Sequence, residues 1–307
     1  MVEVSTIAAP SAAELVGATV RFGRKVALDG VNLTVERGDL YGLVGPNGAG
    51  KTTAFRTLQG LLRPSSGTAR LLGQPAFPPN RARNSRVAVQ PQESALFEQL
   101  TVLEQLTVFA RFRGRTRGDA AEVMERLGLA DAAGTRQEKL SGGQRQRLSV
   151  ACAVIGTPEI LFLDEPTANV DPVARRDMRE FFRELGRDGM TIIYTSHDLN
   201  EVASLCDKVT VLLGGRALLT DAPRSISRNL GFTTVDVASR ERLDHLQDTK
   251  GVVALTVTDE GYIFVTSDDD TLQQRVSSVD PDARVQVRTE PFEETYVRLV
   301  REAGATA

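Results

Sequence analysis

From Glu14 to about Asp221 the chain alternates short apolar, β-branched runs with stretches of helical periodicity. That is the pattern of an α/β protein built on a mostly parallel sheet. The runs Tyr41–Val44, Ile160–Leu163, Thr191–Thr195 and Val209–Leu213 predict strands. Between Leu100 and Arg147 the period turns helical, through Leu103, Leu106, Val108 and Phe109 and then Ala120 to Leu127, with no strong strand. An all-helical insertion, spanning about 98–150, is expected inside the α/β core. A turn-rich stretch, Asp221-Ala222-Pro223-Arg224-Ser225, follows the last strong apolar strand and predicts a boundary. The expected organisation is a tail over 1–13, a first domain over 14–222 and a smaller domain over 223–307.

The smaller domain predicts strand Thr233–Val237, helix Arg240–Gln247 and strand Val252–Thr258. A turn at Asp259-Glu260-Gly261 leads to strand Tyr262–Thr266, helix Thr271–Val279, strand Ala283–Arg288 and a final helix Phe292–Ala303. This order suggests a small α+β module of ferredoxin-like type.

Composition narrows the function classes. A length of 307 residues implies about two domains. With 41% hydrophobic and 25% charged residues the chain is ordinary globular material, which excludes wholesale disorder. Its net charge of −3 argues against a dedicated nucleic-acid binder. The charge is uneven: residues 231–307 hold 8 basic and 15 acidic side chains, a net −7, which leaves +4 on the rest. Two cysteines, Cys152 and Cys206, build neither a disulfide framework nor a four-ligand zinc site, and are expected to be reduced and partly buried. The most apolar stretch, Leu148–Leu163, is interrupted by Thr157-Pro158-Glu159 and falls short of the ~20 residues of a membrane span. Met1–Pro10 has no basic cluster ahead of an apolar run, so no signal peptide is expected and the chain reads as a soluble intracellular protein.

The strongest chemical signal is Gly45-Pro46-Asn47-Gly48-Ala49-Gly50-Lys51-Thr52-Thr53, between a strand and a helix running through Phe55 and Leu58. Glycines at these positions let successive backbone N–H groups converge on phosphate oxygens, above the positive end of a helix dipole. Lys51 would neutralise the β and γ phosphates of ATP, and the Thr52 hydroxyl would ligate Mg²⁺. A second site follows the strand Ile160–Leu163, where Asp164 and Glu165 stand at a carboxyl end, the place ligands occupy in open α/β sheets. Asp164 would hold the Mg²⁺, directly or through water, and Glu165 would polarise an attacking water. Together these imply an ATPase with a phosphate loop.

The octet Leu140-Ser141-Gly142-Gly143-Gln144-Arg145-Gln146-Arg147 resembles the signature sequence of ATP-binding cassette (ABC) proteins. Physically, Ser141, Gly142 and Gly143 open a helix whose N-terminus can face a phosphate. In that family one subunit's phosphate loop meets another's signature. The resemblance therefore implies a second copy of the chain, or a homologous cassette, with Ser141, Gly142, Gly143 and Gln144 contacting the partner's nucleotide. It also implies that Phe22, in Val20-Arg21-Phe22-Gly23, stacks on adenine. Gln92, in Gln90-Pro91-Gln92-Glu93, would sense Mg²⁺ and the attacking water; Gln90 competes for that role, but the Pro-Gln order favours Gln92. Asp171, after Ala168-Asn169-Val170, would reach the partner subunit, and His197, in Thr195-Ser196-His197-Asp198, would contact the γ-phosphate.

The resemblance covers about residues 14–222. The stretch Pro291-Phe292-Glu293-Glu294 further resembles the C-terminal extension of bacterial exporter ATPases of the daunorubicin-resistance type. The implied function is an ATPase powering a bacterial exporter of drug, lipid or polysaccharide, with a separate integral-membrane permease docked beside Gln92 and the helical insertion. The implied location is the cytoplasmic face of the cell membrane. The alternatives are a non-transport ABC ATPase (repair, translation or Fe–S assembly) and an importer ATPase. Two further features carry blander readings. Asp268-Asp269-Asp270 fits compensation of a helix dipole, and Arg111, Arg113, Arg115 and Arg117 fit an exposed face of the helical insertion. His245 is assigned no function.

Overall fold

The computed structural model describes residues 11–91, 96–168, 170–259 and 261–305. The chain divides between Thr220 and Asp221 into two compact units.

In the first unit the order is β1 (Ala13–Phe22), β2 (Lys25–Val35), β3 (Leu40–Val44), α1 (Lys51–Leu58), β4 (Ser66–Leu71), β5 (Gln74–Pro75), α2 (Arg81–Asn84) and β6 (Val87–Gln90). There follow α3 (Val102–Phe112), α4 (Arg117–Arg126), α5 (Gly142–Val154), β7 (Ile160–Asp164), α6 (Pro172–Arg187), β8 (Thr191–Thr195), α7 (Leu199–Leu205), β9 (Lys208–Leu213) and β10 (Arg216–Asp221). A six-stranded sheet runs β10-β9-β3-β8-β7-β6. Within it β3 pairs in parallel with β8 and β9, and β7 in parallel with β8 and β6. All five residues of β3 and the first four of β7 are buried. Parallel strands covered on both faces read as continuous apolar runs, which is why they were visible in the sequence. The register sets Leu43 and Asp164 opposite Thr195, so the carboxyl ends of β3, β7 and β8 meet at one edge.

A second, antiparallel sheet, β2-β1-β4-β5, adds to the expected mostly parallel one. Its long strands carry register shifts between Leu15 and Arg21, which break the two-residue alternation by which such strands are recognised. Leu15, Val20, Leu28 and Leu33 share a core with Phe55 and Leu58 of α1 and with Tyr41, Phe162 and Ile193 of the parallel sheet. Phe55 meets Phe162 edge to face at 5.1 Å. The helix that follows the phosphate loop is thus clamped between two sheets.

Among the described residues between β6 and β7 there is no strand, only α3, α4, α5 and two short 3₁₀ turns. Each helix starts on a reciprocal cap: Thr101 with Glu104, Thr116 with Asp119 and Ser141 with Gln144. The expected arginine face is only partly a solvated face. Arg113 donates to the carbonyl of Ser85 at 3.0 Å and to that of Val87 at 3.4 Å, and Arg115 donates to Thr157 Oγ1. Two of the four guanidinium groups therefore fasten the helical region to the parallel sheet's surroundings.

The second unit contains α8 (Pro223–Leu230), β11 (Thr233–Ala238), β12 (Val252–Thr258), β13 (Gly261–Thr266), α9 (Asp269–Val279), β14 (Arg284–Thr289) and α10 (Phe292–Ala305). The sheet order is β12-β13-β11-β14, with antiparallel neighbours, the order of a split β–α–β unit. One expected element is corrected: Arg240–Gln247 is not a helix, and only a 3₁₀ turn forms, at Asp244–Asp248. Leu243 and Leu246 are the apolar residues of that stretch in the core with Val235, Val237, Phe264, Leu272 and Val276. Two anchors three residues apart suit a single tight turn better than an amphipathic helix. Asp268 caps α9 through Thr271 N at 3.0 Å, with Asp269 and Asp270 in its first turn.

Candidate functional site

The loop from Gly45 to Gly50 leaves the carboxyl end of β3 and delivers its chain into the first turn of α1. Gly50 has φ +105°, and a Cβ there would sit 2.6 Å from Ala27 O and 2.9 Å from Leu28 Cδ2. A Cβ on Gly45 would collide with the backbone oxygen of Leu212. The glycines are thus required by close backbone approach. α1 has no acid in its first turn, so the free N–H groups of its first turn and the helix dipole present an uncompensated positive end. Lys51 Nζ donates to Gly45 O at 2.5 Å and to Pro46 O at 3.2 Å, folding back over the same loop. Burial holds the Lys51 ammonium below its usual pKa, and the nearby Glu165 and Asp164 carboxylates act in the opposite sense.

Across the edge, Asp164 Oδ1 accepts a hydrogen bond from Thr195 Oγ1 at 2.6 Å. Glu165 then adopts φ +50°, a left-handed backbone that a non-glycine residue adopts at a cost of roughly 1–3 kcal/mol. It is pinned on both sides. Its N–H donates to Thr195 O at 3.1 Å, and its carbonyl accepts from Gln146 Nε2 at 3.1 Å. The sharp turn aims the side chain so that Glu165 Oε1 lies 2.7 Å from His197 Nε2. A cleft of about 360 Å³ collects Phe22, Asn47 to Thr53, Glu165 and His197, with Lys25 and Ala27 completing its wall. Phe22 is 52% exposed at this cleft, an aromatic face open to a ligand. Lys25, Ala27, Thr195 and Gln146 were not assigned a role from sequence. Gln146 had a signal, its place in the Ser141–Arg147 run, but its reach to the Glu165 carbonyl exists only once α5 packs beside β7.

The family description "ABC transporter" matches residues 28–168. Over 224 residues the chain is 40% identical to the Nod factor export ATP-binding protein I of Burkholderia lata, covering 71% of this chain and 73% of that protein. It is 38% identical over 229 residues to the daunorubicin resistance ATP-binding protein DrrA3 of Streptomyces coeruleorubidus, covering 73% and 72%. Among solved structures, the ATP-binding subunit of an ABC transporter superposes with a TM-score of 0.65 at 25% identity, covering 71% of this chain and 92% of that one. The chain belongs to the ABC transporter family, as an ATPase subunit.

Asp171 is not among the residues lining the cleft. Ser141, Gly142, Gly143 and Gln144 do not line the cleft. They open α5, where Ser141 Oγ accepts from Gln144 N at 3.2 Å and Gln144 Oε1 accepts from Ser141 N at 2.9 Å. Asp171 caps α6, accepting from Val173 N at 3.1 Å and Ala174 N at 3.0 Å. Those backbone donors hold its carboxyl below the ordinary aspartate range. Gln92 lies outside the described residues. Its competitor Gln90 is fully buried at the end of β6, with Nε2 donating to Pro91 O at 2.6 Å.

The oxygen donors at the edge fit Mg²⁺. Thr52 lines the cleft and Asp164 stands at the adjoining strand end, and no cluster of three or more His, Cys, Asp or Glu able to hold a metal occurs among the described residues. Mg²⁺ commonly takes one or two protein oxygens together with substrate phosphates and water, and does not need an all-protein cage.

Proposed function

We propose that this cassette hydrolyses ATP to power an exporter whose membrane-spanning permease is a separate chain. The observation that carries the reading is the Glu165–His197 contact of 2.7 Å in the cleft that the phosphate loop walls. A carboxylate at that distance from an imidazole, facing the phosphate cradle, is placed to take a proton from attacking water, with the histidine steadying its orientation. The N–H groups of Gly48 to Thr53 and the Lys51 ammonium hold the triphosphate. Phe22 stacks on the adenine, Thr52 and Asp164 would hold Mg²⁺, and the sequence pattern gives Gln92 the same role. When bound, the metal supplies positive charge that neutralises the β and γ phosphates.

Charge then drives assembly. The positive N-terminus of α5, with Ser141, Gly142, Gly143 and Gln144, lies outside its own cleft, which supports closure of two copies with each signature facing the other's γ-phosphate. Asp171, the cap of α6, would reach the partner subunit. Loss of the γ-phosphate removes the shared anion and reopens the pair. The export direction rests on the relatives named for Nod factor export and daunorubicin resistance. No helix among the described residues is long and apolar enough to cross a membrane. The proposed location is the cytoplasmic face of the membrane, against the permease.

The deciding experiment is Glu165→Gln. Turnover is expected to fall by about 10²–10⁴-fold with ATP binding intact, because only the proton acceptor is lost. The ATP-bound variant should also accumulate as a dimer in light scattering. Wild-type hydrolysis in this variant would refute the assignment. Co-purification with a multi-span membrane protein tests the transport role.

A further inference from the structure

Glu201 of α7 is 1% exposed and has no part in the chemistry described above. Its Oε2 accepts a hydrogen bond from Thr167 Oγ1 at 2.7 Å and another from Ser196 Oγ at 3.2 Å. Thr167 lies two residues beyond Glu165, and Ser196 immediately precedes His197. One carboxylate oxygen therefore joins the two loops whose side chains meet at 2.7 Å. The tie is itself anchored. Glu201 N donates to Asp198 Oδ1 at 3.0 Å, and Asp198 N donates to Ser196 Oγ at 3.1 Å, so the loop carrying His197 is folded onto the start of α7.

The other oxygen, Oε1, is buried without a hydrogen bond of ordinary geometry, and the neighbouring Tyr194 hydroxyl, 3.3 Å from Thr167 Oγ1, has its pKa pushed up by burial and by this carboxylate. A buried acceptor left unpaired is destabilising relative to an apolar side chain of similar size. Stability alone therefore does not account for a carboxylate here. What it provides is a single acceptor shared by two hydroxyls on different loops. With Glu165, Thr167, Ser196 and His197 it also lines a small cavity of about 130 Å³, which sets the shared acceptor beside the reacting pair.

We propose that Glu201 is a positioning residue for ATP hydrolysis, clamping Thr167 to Ser196 and thereby setting the separation of Glu165 and His197. The inference rests on the roles given above to those two residues. It requires that loss of the clamp affect the chemical step and leave nucleotide capture in place, since neither Thr167, Ser196 nor Glu201 lines the phosphate-loop cleft.

The test uses the full chain and measures kcat and KM for ATP, nucleotide binding by titration, and thermal melting, with Glu165→Gln as the reference. Glu201→Ala is expected to lower kcat by about 10- to 100-fold, the range that misplacement by about 1 Å produces, with KM within about two-fold of wild type. Glu201→Gln is expected to recover most of the rate, because its amide oxygen accepts both hydroxyls and its side chain keeps the size and shape of the carboxylate. Adding Ser196→Ala to Glu201→Ala should cost less than about two-fold more, as expected for members of one coupled unit. If Glu201→Ala fails to fold, Thr167→Val combined with Ser196→Ala removes the clamp from the other side and must show the same loss of kcat. An inactive Glu165→Gln beside a Glu201→Ala enzyme of wild-type kcat overturns this inference alone. So does a Glu201→Gln enzyme as slow as Glu201→Ala. A fully active Glu165→Gln overturns the reading of the site, and this inference with it.

Discussion

Half of the Phe22 ring faces solvent at the mouth of the cleft, while Phe55 and Phe162 bury theirs against each other. The same residue type thus serves as an open platform or as core, according to what its element packs on. Stacking on an adenine is worth about 0.5–1.5 kcal/mol, so Phe22→Ala should raise KM for ATP about 2- to 13-fold with kcat nearly unchanged. Unaltered affinity in a nucleotide titration would rule the contact out. Cys152 and Cys206 show burial acting alone. Both are buried, more fully than expected, and burial pushes both thiols well above the usual cysteine range, with Asp207 and Glu201 adding to the effect at Cys206. A thiol-specific reagent at pH 8 should label neither in the native protein and both after denaturation, because the thiolate is the reactive form. Lys51, Thr52, Asp164 and Glu165 were expected from sequence because each follows its own strand at a fixed spacing, and His197 from its resemblance to the family's pattern. Glu201 and Thr195 were not. Their partners Thr167 and Asp164 lie about 30 residues away in sequence and come together only through the parallel pairing of β7 with β8.

Two helices carry a motif residue at their N-cap, and each cap can be separated from the motif's chemistry. Ser141→Ala should destabilise the protein by about 1 kcal/mol, the usual effect of losing a serine cap, and should also slow hydrolysis. Ser141→Asp restores a capping oxygen but sets a negative charge where the partner's γ-phosphate would lie. It should melt like wild type and still fail to turn over ATP; wild-type activity would show that Ser141 is only a cap. At α6 the titration of Asp171 provides the handle. Its carboxyl is held below the ordinary range by the N–H groups of Ala174 and Val173. The cap therefore contributes stability above the ordinary aspartate value of 3.8, and that contribution is lost as pH falls below it. Asn caps equally well without titrating. Urea melts of wild type and Asp171→Asn at pH 6 and pH 3 should show the wild type losing more stability on acidification. Equal losses would remove Asp171 from the acid response. At this scale sequence reading worked where one local rule dominated, as in the apolar runs of the parallel strands and the serine-opened start of α5. It missed β1 and β2, where register shifts scramble alternation, and it over-read the 240–247 stretch as a helix.

As a whole the molecule joins an ATPase unit of net +3 (residues 1–220) to an acidic second unit of net −6 (221–307), which carries −7 over residues 231–307. In the second unit Phe292 is buried and packs against Tyr296 at 6.4 Å, while Tyr296, Leu299 and Val300 stay half-buried. Part of the apolar face of α10 is thus used internally and part remains for another surface. Truncation after Asp221 should leave ATP binding intact and weaken dimerisation without nucleotide, measured by sedimentation at fixed ionic strength because like-charged units repel less as salt rises. Unchanged dimerisation and unchanged export would exclude that role. The two units also show how far a linear chain determines its own outcome. The phosphate loop, the acid pair after β7 and the signature start of α5 are local in sequence. Each depends on a turn, a cap or a run of apolar residues that acts wherever it is placed. The contact of Glu165 with His197, the left-handed backbone that aims Glu165, the hold of Gln146 on that turn and the clamp through Glu201 are not local. They arise from the register of parallel strands and from α5 and α7 packing on the sheet. In a parallel sheet neighbouring strand ends are joined by long crossovers, so their meeting is set by the packed core and not by spacing along the chain.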